Sequence, residues 1–329
     1  MNFFLKIFKL LPPELAHSFS LNSLNILYKF KILELFFNKI EHYEKVTFLG
    51  MEFKNRLGTA AGLDKNGDYI DSLGALGFGF LEVGTVTPLP QSGNIKPRIF
   101  RNYSENSIVN RLGFNNKGVD YLVNNLKKRK YQGILGINIG ANKNSEGAER
   151  INDYIVCLKK VSQYADYIAI NISSPNTPNL RDLHNSENLS LLISAINESV
   201  KDIGIVKPIF LKISPDESEK TMNNIIDHIK NSCFSGIIAT NTTVDKSNIK
   251  NIKIKSITGG LSGEPLMDKS TEKLSYIRSI SSDMPLIGVG GIFSKRDFDR
   301  KINAGASLVQ VYTGFIVKGP SLINEILSS

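Results

Sequence analysis

Eight short apolar runs, each ending in a residue able to do chemistry, constrain this chain of 329 residues more than any other feature. Leu57 to Gly62 leads to Asp64 and Lys65, and Phe78 to Val83 leads to Gly84 and Thr85. Ile134 to Ile137 leads to Asn138; Tyr167 to Ile170 leads to Asn171 and Ser174. Ile209 to Leu211 is followed by Lys212, and Gly236 to Ala239 by Thr240, Asn241 and Thr242. Leu286 to Val289 meets Gly290-Gly291, and Leu308 to Val311 meets Tyr312 and Thr313. Short apolar runs of this kind read as strands buried on both faces, the signature of a parallel sheet. Helical stretches lie between several of them, at residues 151–164, 186–201 and 221–231. Eight such units close a (β/α)8 TIM barrel, which takes roughly 200 to over 400 residues. An open doubly wound sheet is the competitor, but no GxGxxG follows the first strand, and polar residues end all eight strands instead of gathering at one switch point.

The stretch from Tyr167 to Asp182 carries the pattern furthest. Its strand must stop at Pro175 and Pro178, because proline cannot donate to a ladder. It thereby delivers Asn171, Ser173, Ser174, Asn176 and Thr177 into a loop, where no core needs them. Two hairpins are also expected. One, Val46–Leu49 with Glu52–Leu57 around Gly50-Met51, precedes the barrel. The other, Arg98–Tyr103 with Ser107–Arg111, is inserted after the second strand.

Residues 1–45 differ from the remainder. Phe3, Phe4, Leu5, Ile7, Phe8, Leu10 and Leu11 precede a Pro12-Pro13 break, and a second apolar stretch runs from Leu15 to Phe37 with lysines interleaved. Two or three short helices follow from this. Pro12-Pro13-Glu14 and the lack of a small-residue cleavage site weigh against a secretory signal. A core helix and a monotopic anchor lying in a lipid interface share the same periodicity. No apolar run reaches the 18 or so residues of a spanning helix. The net charge of +9 suits nucleic acid, an anionic membrane or plain solubility, and does not choose among them. The two cysteines, Cys157 and Cys233, lack metal spacing. Cys157 falls in a helical core pattern, so a reduced, cytosolic-side location is expected. His17, His42, His184 and His228 are scattered, which argues against a metal site.

Three glycine clusters, Gly259 to Gly263, Gly288 to Gly291 and Tyr312-Thr313-Gly314, stand in late loops, where barrels bind phosphate on backbone amides. Tight turns would explain any one of them. Lys212 is an ammonium at the end of a buried strand, costly unless an anion meets it. Lys65 could be paired with its neighbour Asp64. The amides of Asn110, Asn138, Asn171, Asn176 and Asn241 suit a flat heterocycle with alternating donors and acceptors. Ser174 has no G-x-S-x-G elbow, and the nearest histidine in sequence, His184, lies ten residues on, so a hydrolase triad is not indicated.

Six motifs in order carry a resemblance over nearly the whole length. They are Ala60-Ala-Gly-Leu-Asp-Lys65, Asn110-Arg-Leu-Gly-Phe-Asn-Asn116, Asn171-Ile-Ser-Ser-Pro-Asn-Thr-Pro178, Gly259-Gly-Leu-Ser-Gly263, Gly288-Val-Gly-Gly-Ile292 and Gln310-Val-Tyr-Thr-Gly314. The chain resembles the class 2, quinone-linked dihydroorotate dehydrogenases. The resemblance implies oxidation of dihydroorotate to orotate in pyrimidine biosynthesis. FMN would accept the hydride and a membrane quinone the electrons. Residues 1–45 would form a membrane-docking, tunnel-building segment and residues 46–329 the FMN barrel. The FMN phosphate is expected near Gly263, Gly291, Tyr312 and Thr313. The rest of the flavin would be lined by Ala61, Gly62, Lys65, Thr85, Asn138, Asn171, Lys212 and Thr240. Substrate would be held by Lys65, by Asn110, Arg111, Leu112, Gly113 and Phe114, and by Asn171, Asn176, Asn241 and Thr242. Ser174 matches the family's catalytic base, and His17, Arg101 and Tyr312 would lie near the quinone path.

The resemblance further implies a monomer without a metal and without nucleic acid as a partner. It would sit at the cytoplasmic face of a bacterial membrane, or at the mitochondrial inner membrane in a eukaryote. One departure is Asn179, where the family has glycine; asparagine tolerates a left-handed backbone, so the loop is expected to keep its shape. Class 1 soluble relatives and flavin-dependent tRNA dihydrouridine synthases use a cysteine where this chain has Ser174. The class 1 relatives also lack the anchor, and the synthases carry a further helical domain for which no room follows Thr313. A non-catalytic phosphate-binding barrel would not need Ser174 and two lysines.

Overall fold

A computed structural model describes residues 10–33 and 44–328. Residues 1–9, which hold the first apolar stretch up to Leu10, residues 34–43 with His42, and Ser329 lie outside the described residues. Eight parallel strands close a barrel: β3 (Leu57–Thr59), β4 (Phe80–Val86), β7 (Ile134–Ile139), β8 (Tyr167–Asn171), β9 (Ile209–Ile213), β10 (Gly236–Ala239), β12 (Leu286–Val289) and β13 (Leu308–Val311). They stand around the barrel in chain order, and β13 pairs back to β3. All eight arise from the eight apolar runs, and nearly every residue in them is buried.

Helices cover the strands. They include α2 (Ile70–Gly74), α3 (Val119–Leu126), α4 (Gly147–Val161), α5 (Ser186–Ile203), α6 (Glu219–Lys230), the short α7 (Ile252–Lys255), α8 (Met267–Ile280), α9 (Lys295–Asn303), α10 (Thr313–Lys318) and α11 (Ser321–Leu327). Local chemistry starts three of the longer ones. Asn185, Ser218 and Ser294 are N-caps whose side chains accept the N–H groups of Asn188, Thr221 and Asp297. Their buried faces present Leu189, Leu192 and Ile196 on α5 and Met222, Ile225 and Ile229 on α6, the spacing of one helical face.

The barrel interior is apolar at its lower end. The Phe80, Tyr167 and Phe210 rings meet there, with Tyr167 edge-on to Phe210 at 5.5 Å between centroids. A side chain at Gly136 would strike the Tyr167 ring at 2.0 Å, so only glycine admits that ring. The antiparallel hairpin β1 (Val46–Phe48) and β2 (Met51–Phe53) closes this end, stacking Phe48 on Phe210 and setting Phe53 edge-on to Phe80. Its turn is Leu49-Gly50, one residue earlier than expected, with both residues at positive φ as two-residue hairpin turns require.

The inserted hairpin is β5 (Ile99–Asn102) and β6 (Ser107–Asn110), antiparallel as expected. A third strand, β11 (Gly260–Gly263), joins it from the far side of the sequence by pairing with β6. The segment from Gly259 to Gly263, expected as a loop, is thus largely a strand, with positive φ only at its two end glycines, Gly259 at +133° and Gly263 at +103°.

The helix α1 (Pro13–Lys29) packs against α2 and β5. Glu14 receives two hydrogen bonds from Arg98, at 2.7 and 3.1 Å, Arg101 donates to the Leu11 carbonyl, and Tyr69 donates to Asn22 at 2.9 Å. Ala16 and Leu21 face inward, while Leu15, Phe19, Ile26 and Phe30 are each more than half exposed along the outer face. Among the described residues no helix is long and apolar enough to cross a membrane.

Candidate active site

A cavity of about 980 Å³, counting its open mouth, lies over the carboxyl ends of the strands. Strand ends at this face build the sites of (β/α)8 enzymes. Ala61, Gly62 and Lys65 enter it after β3, and Thr85 from the end of β4. Asn171, Ser174 and Asn176 enter after β8, Lys212 from β9, and Thr240, Asn241 and Thr242 after β10. Gly291 follows β12, and Tyr312 and Thr313 follow β13. The inserted sheet roofs one side with Asn110, Leu112, Gly113 and Phe114, and adds Gly263 from β11.

Two expected residues stand elsewhere. Asn138 is fully buried behind Thr85, which donates to its side-chain oxygen at 2.6 Å. The Arg111 guanidinium turns out of the cavity, donates to the Pro97 carbonyl at 2.9 Å and stacks over the Phe100 ring.

One polar chain ties the loops together. Asn171 donates to Thr85 at 3.0 Å and to Asn138 at 3.2 Å, and Asn241 donates to the Ser173 hydroxyl at 3.0 Å. Across the cavity, Asn176 donates to Asn110 at 3.2 Å, joining the β8 loop to the inserted sheet. Arg181 anchors the loop from outside: it donates to the carbonyls of Ser173 and Thr242 and pairs with Asp216 at 2.9 Å. Asn179 takes the left-handed backbone expected of it, at φ +55°, and its carbonyl accepts from Arg150 at 2.7 Å.

Several groups at the cavity lack a hydrogen-bond partner among the described residues. The Lys212 ammonium, 4% exposed, makes no hydrogen bond among the described residues; its nearest anion is Glu82, at 3.7 Å. Lys65 likewise has no hydrogen bond or ion pair there. Asp64 does not hold it, because both of that carboxylate's oxygens accept backbone N–H groups, from Asp68 and Tyr69. Burial, and then the Arg98 charge, lower the Lys65 ammonium to about 8. The Thr242 hydroxyl and the Gln310 side-chain oxygen are buried and unpaired. Buried polar groups are ordinarily satisfied, so two ammoniums with no hydrogen bond, offset by one carboxylate, and an unpaired hydroxyl and amide oxygen on residues that line one cavity fit a polar, anionic ligand. Gly291, at φ +85°, keeps the wall thin: a side chain there would meet the Met267 backbone at 2.4 Å.

Other candidates lie elsewhere. His184 faces the Arg181 carbonyl and Glu217, and burial pushes it down to about 4. Cys157 is buried on α4, and neither cysteine lines the cavity. Half-buried His17 on α1 is pushed down to about 4 by burial and then by the charge of Lys65. Sequence reasoning missed Glu82, whose signal was a charged residue inside the apolar run from Phe80 to Val86.

The dihydroorotate dehydrogenase family model matches residues 43–329. The chain belongs to the dihydroorotate dehydrogenase family. A relative from Buchnera aphidicola named dihydroorotate dehydrogenase (quinone) is 49% identical, over 98% of this chain and 97% of its own. A relative of the same name from Escherichia coli O1:K1 is 48% identical, over 97% and 96%. The crystal structure of an Eimeria tenella dihydroorotate dehydrogenase in complex with ferulenol superposes with a TM-score of 0.86 at 33% identity, over 96% of this chain and 90% of that one. The superposition with the Eimeria tenella enzyme covers 96% of this chain, and the relatives named dihydroorotate dehydrogenase (quinone) align over nearly its whole length.

Proposed function

We propose that this chain is the quinone-linked dihydroorotate dehydrogenase of its cell, oxidising dihydroorotate to orotate with bound FMN and passing the electrons to a membrane quinone. The observation that carries the reading is that two ammoniums without a hydrogen bond among the described residues, Lys65 and Lys212, line one cavity that Ser174 also lines, with only the Glu82 carboxylate, 3.7 Å from Lys212, to offset them. FMN, when bound, accepts the hydride. The phosphate would rest against backbone at Gly263, Gly291, Tyr312 and Thr313, and the ring system against Ala61, Gly62, Thr85, Asn171 and Thr240, with Asn138 bracing Thr85 and Asn171 from behind. Lys212 would meet the electron-rich edge of the ring, where positive charge favours added electrons.

Substrate would lie in the part of the cavity that the flavin leaves open. Lys65 meets its carboxylate. Asn110, Asn171, Asn176, Asn241 and Thr242 hold the ring amides, and the turn from Leu112 to Phe114 closes over it, with Arg111 contributing backbone only. Ser174 takes the proton from the carbon next to the one that gives up the hydride. The Arg181 clamp on Ser173 and Thr242 holds base and substrate in register.

Residues 1–45 form the docking segment and residues 46–329 the catalytic barrel. The outer stripe of Leu15, Ile26 and Phe30 supports an interfacial placement, since an apolar helix face beside basic residues lies in headgroups. A quinone would enter between α1 and the barrel, past His17 and Arg101 toward Tyr312. The enzyme works as a monomer at a membrane surface. An absorbance spectrum of purified protein before and after anaerobic dihydroorotate tests the proposal. A yellow protein that bleaches is expected; a colourless protein, or a yellow one that dihydroorotate leaves oxidised, overturns it.

A further inference from the structure

One layer below the cavity sits a carboxylate that no step above uses. Glu82, on β4, is 1% exposed and does not line the cavity. Four strands converge on it. Asn138 of β7 donates to Oε1 at 2.9 Å, while Tyr167 of β8 and Gln310 of β13 donate to Oε2 at 2.9 and 2.6 Å. Lys212 of β9 holds its Nζ 3.7 Å from Oε1. The hydrogen-bonded neighbours all donate, the environment of an ionised carboxylate, which only accepts. The ring of Tyr167, which bonds the carboxylate, packs with Phe80 and Phe210 in one buried apolar cluster, so the charge sits against hydrocarbon on that side.

A lone carboxylate at this depth is costly, and a buried charge persists when paired and hydrogen-bonded. Lys212 supplies the pair, and it is Lys212, not Glu82, that reaches the cavity. The geometry points to Glu82 as a positioning residue that fixes the Lys212 ammonium from behind and offsets its charge, thereby setting the reduction potential of the bound flavin. This rests on the FMN reading above. Lys212 alone would favour the reduced, more negative flavin. Glu82 weakens that preference, which leaves the reduced flavin a better donor to the next acceptor. Gln310 and Tyr167 share the carboxylate's other oxygen and keep it from rotating away.

The test is an anaerobic midpoint titration of the FMN-loaded protein against a reference dye. Glu82→Gln keeps the shape and removes the charge, so the midpoint is expected to rise by at least a tenfold shift toward reduced flavin, ~30 mV for a two-electron couple. Glu82→Asp keeps the charge while breaking the hydrogen-bond geometry, and should move the midpoint by less than half as much. A purely structural role predicts the reverse order. The exchange Glu82→Gln with Gln310→Glu returns a carboxylate to the same network and should bring the midpoint back to the native value or below. That double variant also carries the test if Glu82→Gln alone does not fold: a midpoint above native would then overturn the inference. An unmoved midpoint in loaded Glu82→Gln overturns it as well. Wild-type protein that holds no flavin would instead sink the FMN reading on which it stands.

Discussion

The Ser174 hydroxyl accepts a hydrogen bond from the backbone N–H of Asn176 at 3.3 Å, across the ring of Pro175. The contact fixes one lone pair of the oxygen while the group, 5% exposed, faces the cavity. Removing the hydroxyl takes away one long hydrogen bond, about 1 kcal/mol at most. Ser174→Ala should therefore fold and hold FMN at wild-type content. Flavin reduction by dihydroorotate should slow by roughly 10²–10⁴-fold, the usual worth of a positioned base. Stopped-flow bleaching at saturating substrate measures this, and an unimpaired rate would remove Ser174 from the role.

Lys65 gives the cavity a pH signature. Its ammonium in the free protein titrates at about 8, lowered first by burial and then by Arg98. An anionic ligand binds the protonated form and raises that value. Affinity for orotate should thus be level below about pH 8 and weaken above it, approaching tenfold per pH unit. Orotate titrations followed by the flavin spectrum from pH 7 to 9.5 read this directly. Lys65→Met should bind weakly with a flat profile; a flat profile in the wild type would exclude Lys65 as the carboxylate partner.

The eight barrel strands were legible because each is buried on both faces, so an apolar run and its polar terminus coincide with the strand and its catalytic end. β11 was not. Leu261 is the single large apolar residue between Gly259 and Gly263, and its partner β6 is separated by about 150 residues. Lys212 drew notice as a charge at the end of an apolar run, yet Glu82 sits in the middle of one and the same desolvation argument applies to it with equal force. The outward face of α1 was hidden because Leu15 and Phe19 look no different in sequence from Ala16 and Leu21, which pack inward. The Leu49-Gly50 turn was misplaced by one residue because leucine is a poor guide to a positive φ.

On the proposed function, the exposed stripe on α1 serves the quinone half-reaction and not flavin reduction. Leu15 and Ile26 are 61% and 55% exposed and make no part of the cavity. Placing a charge at each by Leu15→Glu with Ile26→Glu forfeits apolar burial in lipid of about 1.5–3 kcal/mol per side chain. Vesicle co-sedimentation should fall at least tenfold, and turnover with a long-chain quinone should fall with it. Flavin reduction by dihydroorotate should stay at the wild-type rate. Undiminished vesicle binding would place the membrane contact elsewhere.

Lys301 on α9 is fully buried with only neutral partners. Its Nζ donates to the hydroxyls of Ser270 at 2.5 Å and Thr271 at 2.9 Å, and no carboxylate among the described residues lies within ion-pair distance. Burial, then the Arg300 charge, lowers it to about 7, against the pull of Asp268 and Asp297. An unfolded lysine binds its proton up to about 10.4, so between those values the unfolded chain holds more protons. Stability from this group therefore rises with pH from about 7 to 10, and the full penalty applies below 7. Lys301→Met fills the same volume without a charge. Ser270 and Thr271 still donate to the Leu266 and Met267 carbonyls, so few hydrogen bonds are lost. The variant should unfold a few degrees higher at pH 6, on the order of 1–3 kcal/mol at roughly 2–4 °C each, with the gain shrinking toward pH 10. Thermal unfolding at pH 6, 8 and 10 decides it: a lower midpoint at pH 6, or a gain that ignores pH, would show that the buried ammonium is held by something other than these hydroxyls.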